Sequence, residues 1–217
     1  QELREAIRAA YANIEDFHKI QLDEPSRSRE TAPGVYCEQH TLPIQRVGLY
    51  VPGGQAPLFS TVLMLAVPAA VAGCEEVVLC TPPGKDGKVN PAILFAADLC
   101  GVKRIFKVGG AQAVAALAYG TESIQKVDKI VGPGNIYVAT AKRILYGVVD
   151  IDMIAGPSEI MVVADKKNNP EYIASDLLSQ AEHDKLATAV LVTDDEELAE
   201  KVSVCVEKRL EKLPRKE

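Results

Sequence analysis

The chain has no tryptophan, and aromatic residues make up only 5% of it. Its core must therefore be built from Val, Ile, Leu and Ala, as parallel sheets covered by helices usually are. Neither the GxGxxG dinucleotide fingerprint nor the GxxxxGK(S/T) phosphate loop occurs, which argues against an ATP-binding P-loop. There is no GxSxG elbow to hold a serine nucleophile strained and exposed. No CxxC pair occurs either. Cys37, Cys74, Cys80, Cys100 and Cys205 are odd in number and far apart, so they suggest neither a metal pattern nor a disulfide framework. The expectation is buried free thiols in a reducing cytoplasm. The longest apolar stretch, residues 62–73, is too short to cross a bilayer, and no signal-peptide pattern is present. Basic charge is in deficit as well. The net charge of −6 argues against nucleic acid as a main partner, since Lys and Arg are scattered apart from the stretch 212–216.

What is present is ordinary for a globular protein. A length of 217 residues allows one large domain or two modest ones and can bury a sizeable core. The spacing predicts a helix over 1–21, a polar loop over 23–34 and an extended segment within 35–44. From residue 47 short apolar strands alternate with helices: strands at 47–51, 75–80, 104–108 and 129–131, each followed by a turn and a helix. Ser60 and Thr61 are expected to cap the first of these helices, and Asn90 with Pro91 to start the second. This is the pattern of a parallel sheet with helices on both faces. A second, similar unit follows, with strands at 160–165 and 187–193 and a final helix at 196–213 capped by Thr193 or Asp194.

Three strands of the middle unit run at their carboxyl ends into glycine-rich turns, at 50–54, 109–112 and 132–135. In an open α/β sheet those ends line the ligand crevice, and helix N-termini there present free N–H groups to an anion. Tyr50, Gln112 and Asn135 sit on these turns. The plainer alternative is that the glycines only make tight βα turns possible.

The stretch 175–184, SDLLSQAEHD, lies on a helix opened by Asn169 and Pro170. Ile173, Leu177, Leu178 and Ala181 form its apolar stripe. Gln180 and His183, three apart, share the polar face, which is half of a metal site and no more, because tetrahedral zinc takes four ligands. A solvated histidine on a polar helix face is the alternative. Ser158, following Gly156 and Pro157, sits at the mouth of a strand, either as a hydrogen-bonding group at a site's edge or as a turn-stabilising serine. His18 and His40 have no metal-ligand spacing around them.

Several of these segments resemble one family. VGLYVPGG and APLFST within 47–61, GGAQAVAALAYGTESI at 109–124, VDKIVGPGN at 127–135, AGPSEI at 155–160 and SDLLSQAEHD at 175–184 are similar to segments of histidinol dehydrogenase, in the same order. The resemblance implies a pair of incomplete Rossmann-like units with mainly parallel sheets flanked by helices. In it, residues 45–157 form an NAD-binding α/β domain inserted into a discontinuous one made of 1–44 and 158–217. It further implies oxidation of L-histidinol to L-histidine through the aldehyde, with NAD and zinc as cofactors, in a cytoplasmic homodimer that takes neither nucleic acid nor membrane as partner. By motif match Tyr50, Gln112 and Asn135 would contact NAD. Ser158, Gln180 and His183 would contact substrate, and Gln180 and His183 would also ligate zinc. The family's Glu-His acid–base pair and the Asp and His that complete its zinc shell have no counterpart among these residues. The chain is therefore expected to be an amino-terminal portion that is inactive alone. The rival readings are a catalytically inactive NAD-binding or partner-binding module, and an aldehyde-oxidising dehydrogenase, which would need a nucleophilic cysteine at the crevice.

Overall fold

The computed structural model describes residues 1–22, 24–53, 58–154, 158–182 and 187–213. The chain divides into two compact units, residues 1–155 and 156–217.

The first unit opens with helix α1 (Glu2–Lys19), whose Ile7 is buried with Ala10, Tyr11 and Ile14 packed around it. Arg4 and Arg8 stack their guanidinium groups over Phe95, at 5.3 and 5.5 Å from the ring centre. A hairpin of β1 (Ser26–Ala32) and antiparallel β2 (Val35–His40) follows where a loop and a lone extended segment were expected. Every residue of both strands is exposed, so no buried face imposes the apolar alternation by which a strand is read from sequence. Cys37 lies on this hairpin and is exposed, which corrects the expectation of uniformly buried thiols; of the five, Cys80 alone is fully buried.

The sheet proper contains β3 (Arg46–Tyr50), β4 (Glu76–Cys80), β5 (Arg104–Phe106), β6 (Lys129–Val131) and β7 (Asp150–Ile151). Its order is β5-β4-β3-β6-β7 and every pairing is parallel. Helices α2 (Phe59–Val71), α3 (Pro91–Leu99), α4 (Gly110–Tyr119) and α5 (Ile136–Leu145) connect the strands. Because side chains alternate along a strand, Leu49 and Val51 point to one face and Tyr50 to the other. The first face packs on α2 and α3, with α1 against those two helices, and the second on α4 and α5. Leu49, Leu79 and Leu117 are fully buried in these two layers, each contributing about 1.5–3 kcal/mol. This is the doubly covered parallel sheet expected from the sequence. Strand order reverses after β5, so β3 and β6 flank the switch point where such sheets open a crevice at their carboxyl ends.

Two helix starts differ from expectation. Helix α2 begins at Phe59, so Ser60 and Thr61 fall inside its first turn and no side chain caps it. Its counterpart near the end of the chain is capped by Asp195, whose carboxylate accepts the Leu198 N–H at 2.6 Å. Thr193 instead receives the Asp195 N–H at 3.2 Å and shapes the approach.

The second unit is a βαβα arrangement: β8 (Glu159–Val163), α6 (Pro170–Ala181), β9 (Thr188–Val192) and α7 (Glu196–Leu210). Strands β8 and β9 pair in parallel, from Glu159 opposite Thr188 to Val163 opposite Val192. Ile173, Ala174, Leu177, Leu198 and Val202 form its core beneath Ile160, Val162 and Leu191. The other sheet face, with Met161, Val163, Val190 and Val192, is exposed. Among the described residues, no helix is long and apolar enough to cross a membrane.

Candidate functional site

The three glycine turns meet at the end of the central strand. Tyr50 is the last residue of β3 and is 3% exposed. Its hydroxyl accepts a hydrogen bond from the Gly110 N–H at 3.0 Å, which ties it to the start of α4. On its other side its backbone touches Gly132, where an added Cβ would overlap the Tyr50 carbonyl oxygen. Gly132 has φ +125°, open to glycine and strained for any side chain. Residues far apart in sequence thus converge because three strands of one parallel sheet end on the same edge.

The polar side chains on these turns behave differently. Gln112, in the first turn of α4, is exposed, and so is Asn135. Asn135 caps α5: its side-chain oxygen accepts the N–H groups of Tyr137 at 3.1 Å and Val138 at 3.2 Å. Its amide N–H₂ is thereby turned away from the helix. Helix α4 begins after Gly109, which has no side chain to cap it. Apart from the Gly110 N–H, the N–H groups of its first turn take no side-chain cap from the residue before the helix. The tyrosine, by contrast, is closed to solvent, and its hydroxyl is engaged. Sequence periodicity could not show this, because a Tyr ending a strand reads alike whether it faces helix or crevice.

Cys80 ends β4 directly beside Tyr50 in the strand register. It is fully buried, and burial pushes its thiol up to about 12. Such a thiol stays protonated at neutral pH and is a poor nucleophile. The neighbouring Thr81 is also fully buried, and its hydroxyl has no hydrogen-bond partner among the described residues.

In the second unit, α6 returns antiparallel to the strands it connects. Gln180, near its end, therefore comes back to the edge where Ser158 enters β8. Ser158 is exposed, and Asn169 caps the helix as expected, accepting the Glu171 N–H at 2.9 Å. The Gln180 amide nitrogen is buried with no hydrogen-bond partner among the described residues. His183 lies outside the described residues. Among the described residues, no group of three or more His, Cys, Asp or Glu could hold a metal ion, so any ion at Gln180 would need further ligands.

A feature absent from the sequence reading lies behind the third turn. Lys142 on α5 is 1% exposed, and its ammonium contacts Asp152 and donates to the Gly132 carbonyl oxygen at 2.9 Å. The signal was available, since Val138, Lys142 and Leu145 repeat at the spacing of a buried helix stripe.

Comparison with known proteins agrees with this architecture. The histidinol dehydrogenase family model matches residues 1–217. A histidinol dehydrogenase of Lactococcus lactis is 58% identical over 97% of this chain and 49% of its own length. One from Bacteroides fragilis is 58% identical over 100% of this chain and 50% of its own. The crystal structure of histidinol dehydrogenase from Elizabethkingia anophelis superposes with a TM-score of 0.94 at 52% identity, covering 100% of this chain and 50% of that one. The chain thus spans about half the length of the relatives it matches. With the family model matching residues 1–217 of this chain and relatives this similar, the chain belongs to the histidinol dehydrogenase family.

Proposed function

We propose that this chain carries the dinucleotide site and part of the substrate site of a zinc- and NAD-dependent enzyme that oxidises L-histidinol to L-histidine through the aldehyde, closing histidine biosynthesis. The observation that carries the reading is the convergence of the three glycine turns on Tyr50 at the switch point of a parallel sheet. Family membership supplies the substrate class. Held there, NAD would supply the hydride acceptor that both oxidation steps require. Gln112 and Asn135 offer exposed amide groups to it, and the uncapped first turn of α4 favours its pyrophosphate. Tyr50 acts from beneath, holding the turn of Gly110 in place.

Ser158, Gln180 and His183 would hold histidinol, with Gln180 and His183 also donating to zinc. Gln180 fits, since a glutamine oxygen can donate to the metal while its buried nitrogen awaits a partner. A zinc ion held there would serve to orient the substrate. These residues provide a partial donor set, so the chain alone is expected to be inactive and to need the rest of a cytoplasmic homodimer. The division into 45–157 and a discontinuous domain of 1–44 with 158–217 belongs to the same proposal. The packing of α1 against α2 and α3 makes residue 44 the boundary to test by limited proteolysis.

The deep burial and raised thiol of Cys80 weigh against the rival that oxidises aldehydes through a cysteine. The test is histidinol-dependent NADH formation by the full-length protein, by this chain, and by full-length Gln112→Ala. Turnover only in the longer protein, with a raised KM for NAD in the variant, supports the reading. Full turnover by this chain alone, or an unaltered KM for NAD, contradicts it.

A further inference from the structure

The turn bearing Asn135 is held from behind by an ion pair that the proposed cofactor contacts leave unexplained. Lys142, on α5, sends its ammonium back to the turn that starts its own helix. It donates to the Gly132 carbonyl oxygen at 2.9 Å and to Asp152 Oδ1. Asp152 stands immediately after β7, and its Oδ2 accepts the Gly132 N–H at 2.7 Å. Its Oδ1 also accepts the Met153 N–H at 2.6 Å. The two partners of one ion pair therefore grip both backbone polar groups of a single glycine.

Packing does not require a lysine at this place. An ammonium taken out of water is costly, and a well-packed apolar side chain in the Val138–Leu145 stripe would avoid that cost. The pair instead supplies direction: a donor for the Gly132 C=O and an acceptor for its N–H. Together these set the rotation of the peptide groups on either side of that residue. At φ +125°, against the Tyr50 carbonyl, Gly132 occupies backbone space that other rotations would leave. Asn135 follows three residues later, and a small rotation at Gly132 swings it.

We propose that Lys142 and Asp152 are positioning residues for the dinucleotide, a buried clamp that presets the 132–135 turn before ligand arrives. The clamp rests on the reading that this turn receives NAD. Its role is preorganisation: a turn already in its bound conformation loses less entropy on binding.

In the full-length protein, Lys142→Met and Asp152→Asn are each expected to raise the calorimetric Kd for NAD at least about tenfold. KM for histidinol should change less than about twofold, and the Gly132 amide should exchange its hydrogen faster. Asp152→Asn is nearly isosteric, but an amide has one acceptor oxygen where Asp152 uses two. It must release one partner without a change of volume, and it carries the test if Lys142→Met does not fold. An unchanged Kd for NAD, or an equal loss for NAD and histidinol, overturns the clamp. Asn135→Asp separates the two failures. If it weakens NAD binding and the clamp variants do not, the clamp alone is wrong. If none of the three does, the NAD reading fails and the clamp with it.

Discussion

The Tyr50 hydroxyl accepts the Gly110 N–H at 3.0 Å, joining the end of the central strand to the first turn of α4. This one bond sets two of the three glycine turns relative to each other. Tyr50→Phe keeps the buried ring and removes only the acceptor. It should cost about 1 kcal/mol of stability in urea unfolding. It should also weaken NAD binding several-fold, because α4 loses its anchor. Unchanged stability together with unchanged affinity would mean the bond does not organise the site.

Gly132 is the position where a methyl group should do the greatest damage. Gly132→Ala combines a backbone conformation unsuited to L-residues with an overlap on the Tyr50 carbonyl. A loss of roughly 3 kcal/mol or more is expected. Gly147→Ala is the control: φ is +98° but no atom lies within 4 Å of its added Cβ, so only the conformational cost of about 1–2 kcal/mol applies. Denaturant midpoints compare the two, and equal losses would contradict the crowding at Gly132.

Alkaline pH should destabilise the first unit through its buried thiols. Burial pushes Cys80 up to about 12 and Cys100 to about 11, whereas an unfolded thiol titrates near its ordinary value of roughly 8.5. Between these values the unfolded chain binds fewer protons than the folded one, so stability falls as pH rises. The contribution is fully present below about pH 8.5 and is lost progressively towards pH 11–12. Cys80→Ala should flatten the decline in a series of unfolding curves, and an identical slope would refute the assignment. At neutral pH a thiol reagent should label Cys37, which is exposed, well before Cys80.

Zinc should bind this chain weakly or not at all, because Gln180 and His183 leave half of a four-ligand shell to other groups. In the full-length protein, affinity should be restored, and His183→Ala should remove it. Calorimetric titration decides this, and tight stoichiometric zinc on the chain alone would contradict it.

The parts of the fold written in periodicity and punctuation were legible in the sequence. The β3-to-α5 succession is marked by short apolar runs broken by Gly and Pro. Asn90 and Asn169 cap the helices they were expected to start. The β1–β2 hairpin was not legible, because strands exposed on both faces carry no apolar alternation. Strand β7, at two residues, is too short to have a period. Of the site, the glycine turns were visible and their common edge followed from parallel order. The inward set of Tyr50 and the grip of Lys142 and Asp152 on Gly132 depend on three-dimensional contacts that no local pattern encodes.

Replacement of Asn135 distinguishes a dinucleotide site from turns that only shape the fold. An aspartate at this position keeps an oxygen to cap α5, so Asn135→Asp should leave stability nearly unchanged. It removes the exposed amide donor and places a negative charge on a turn proposed to face the anionic dinucleotide. In calorimetric titration of the full-length protein with NAD, the Kd should rise at least about tenfold at an unchanged unfolding midpoint. A variant that binds NAD as tightly as the unmodified protein would contradict the claim that the three converging turns form the dinucleotide site.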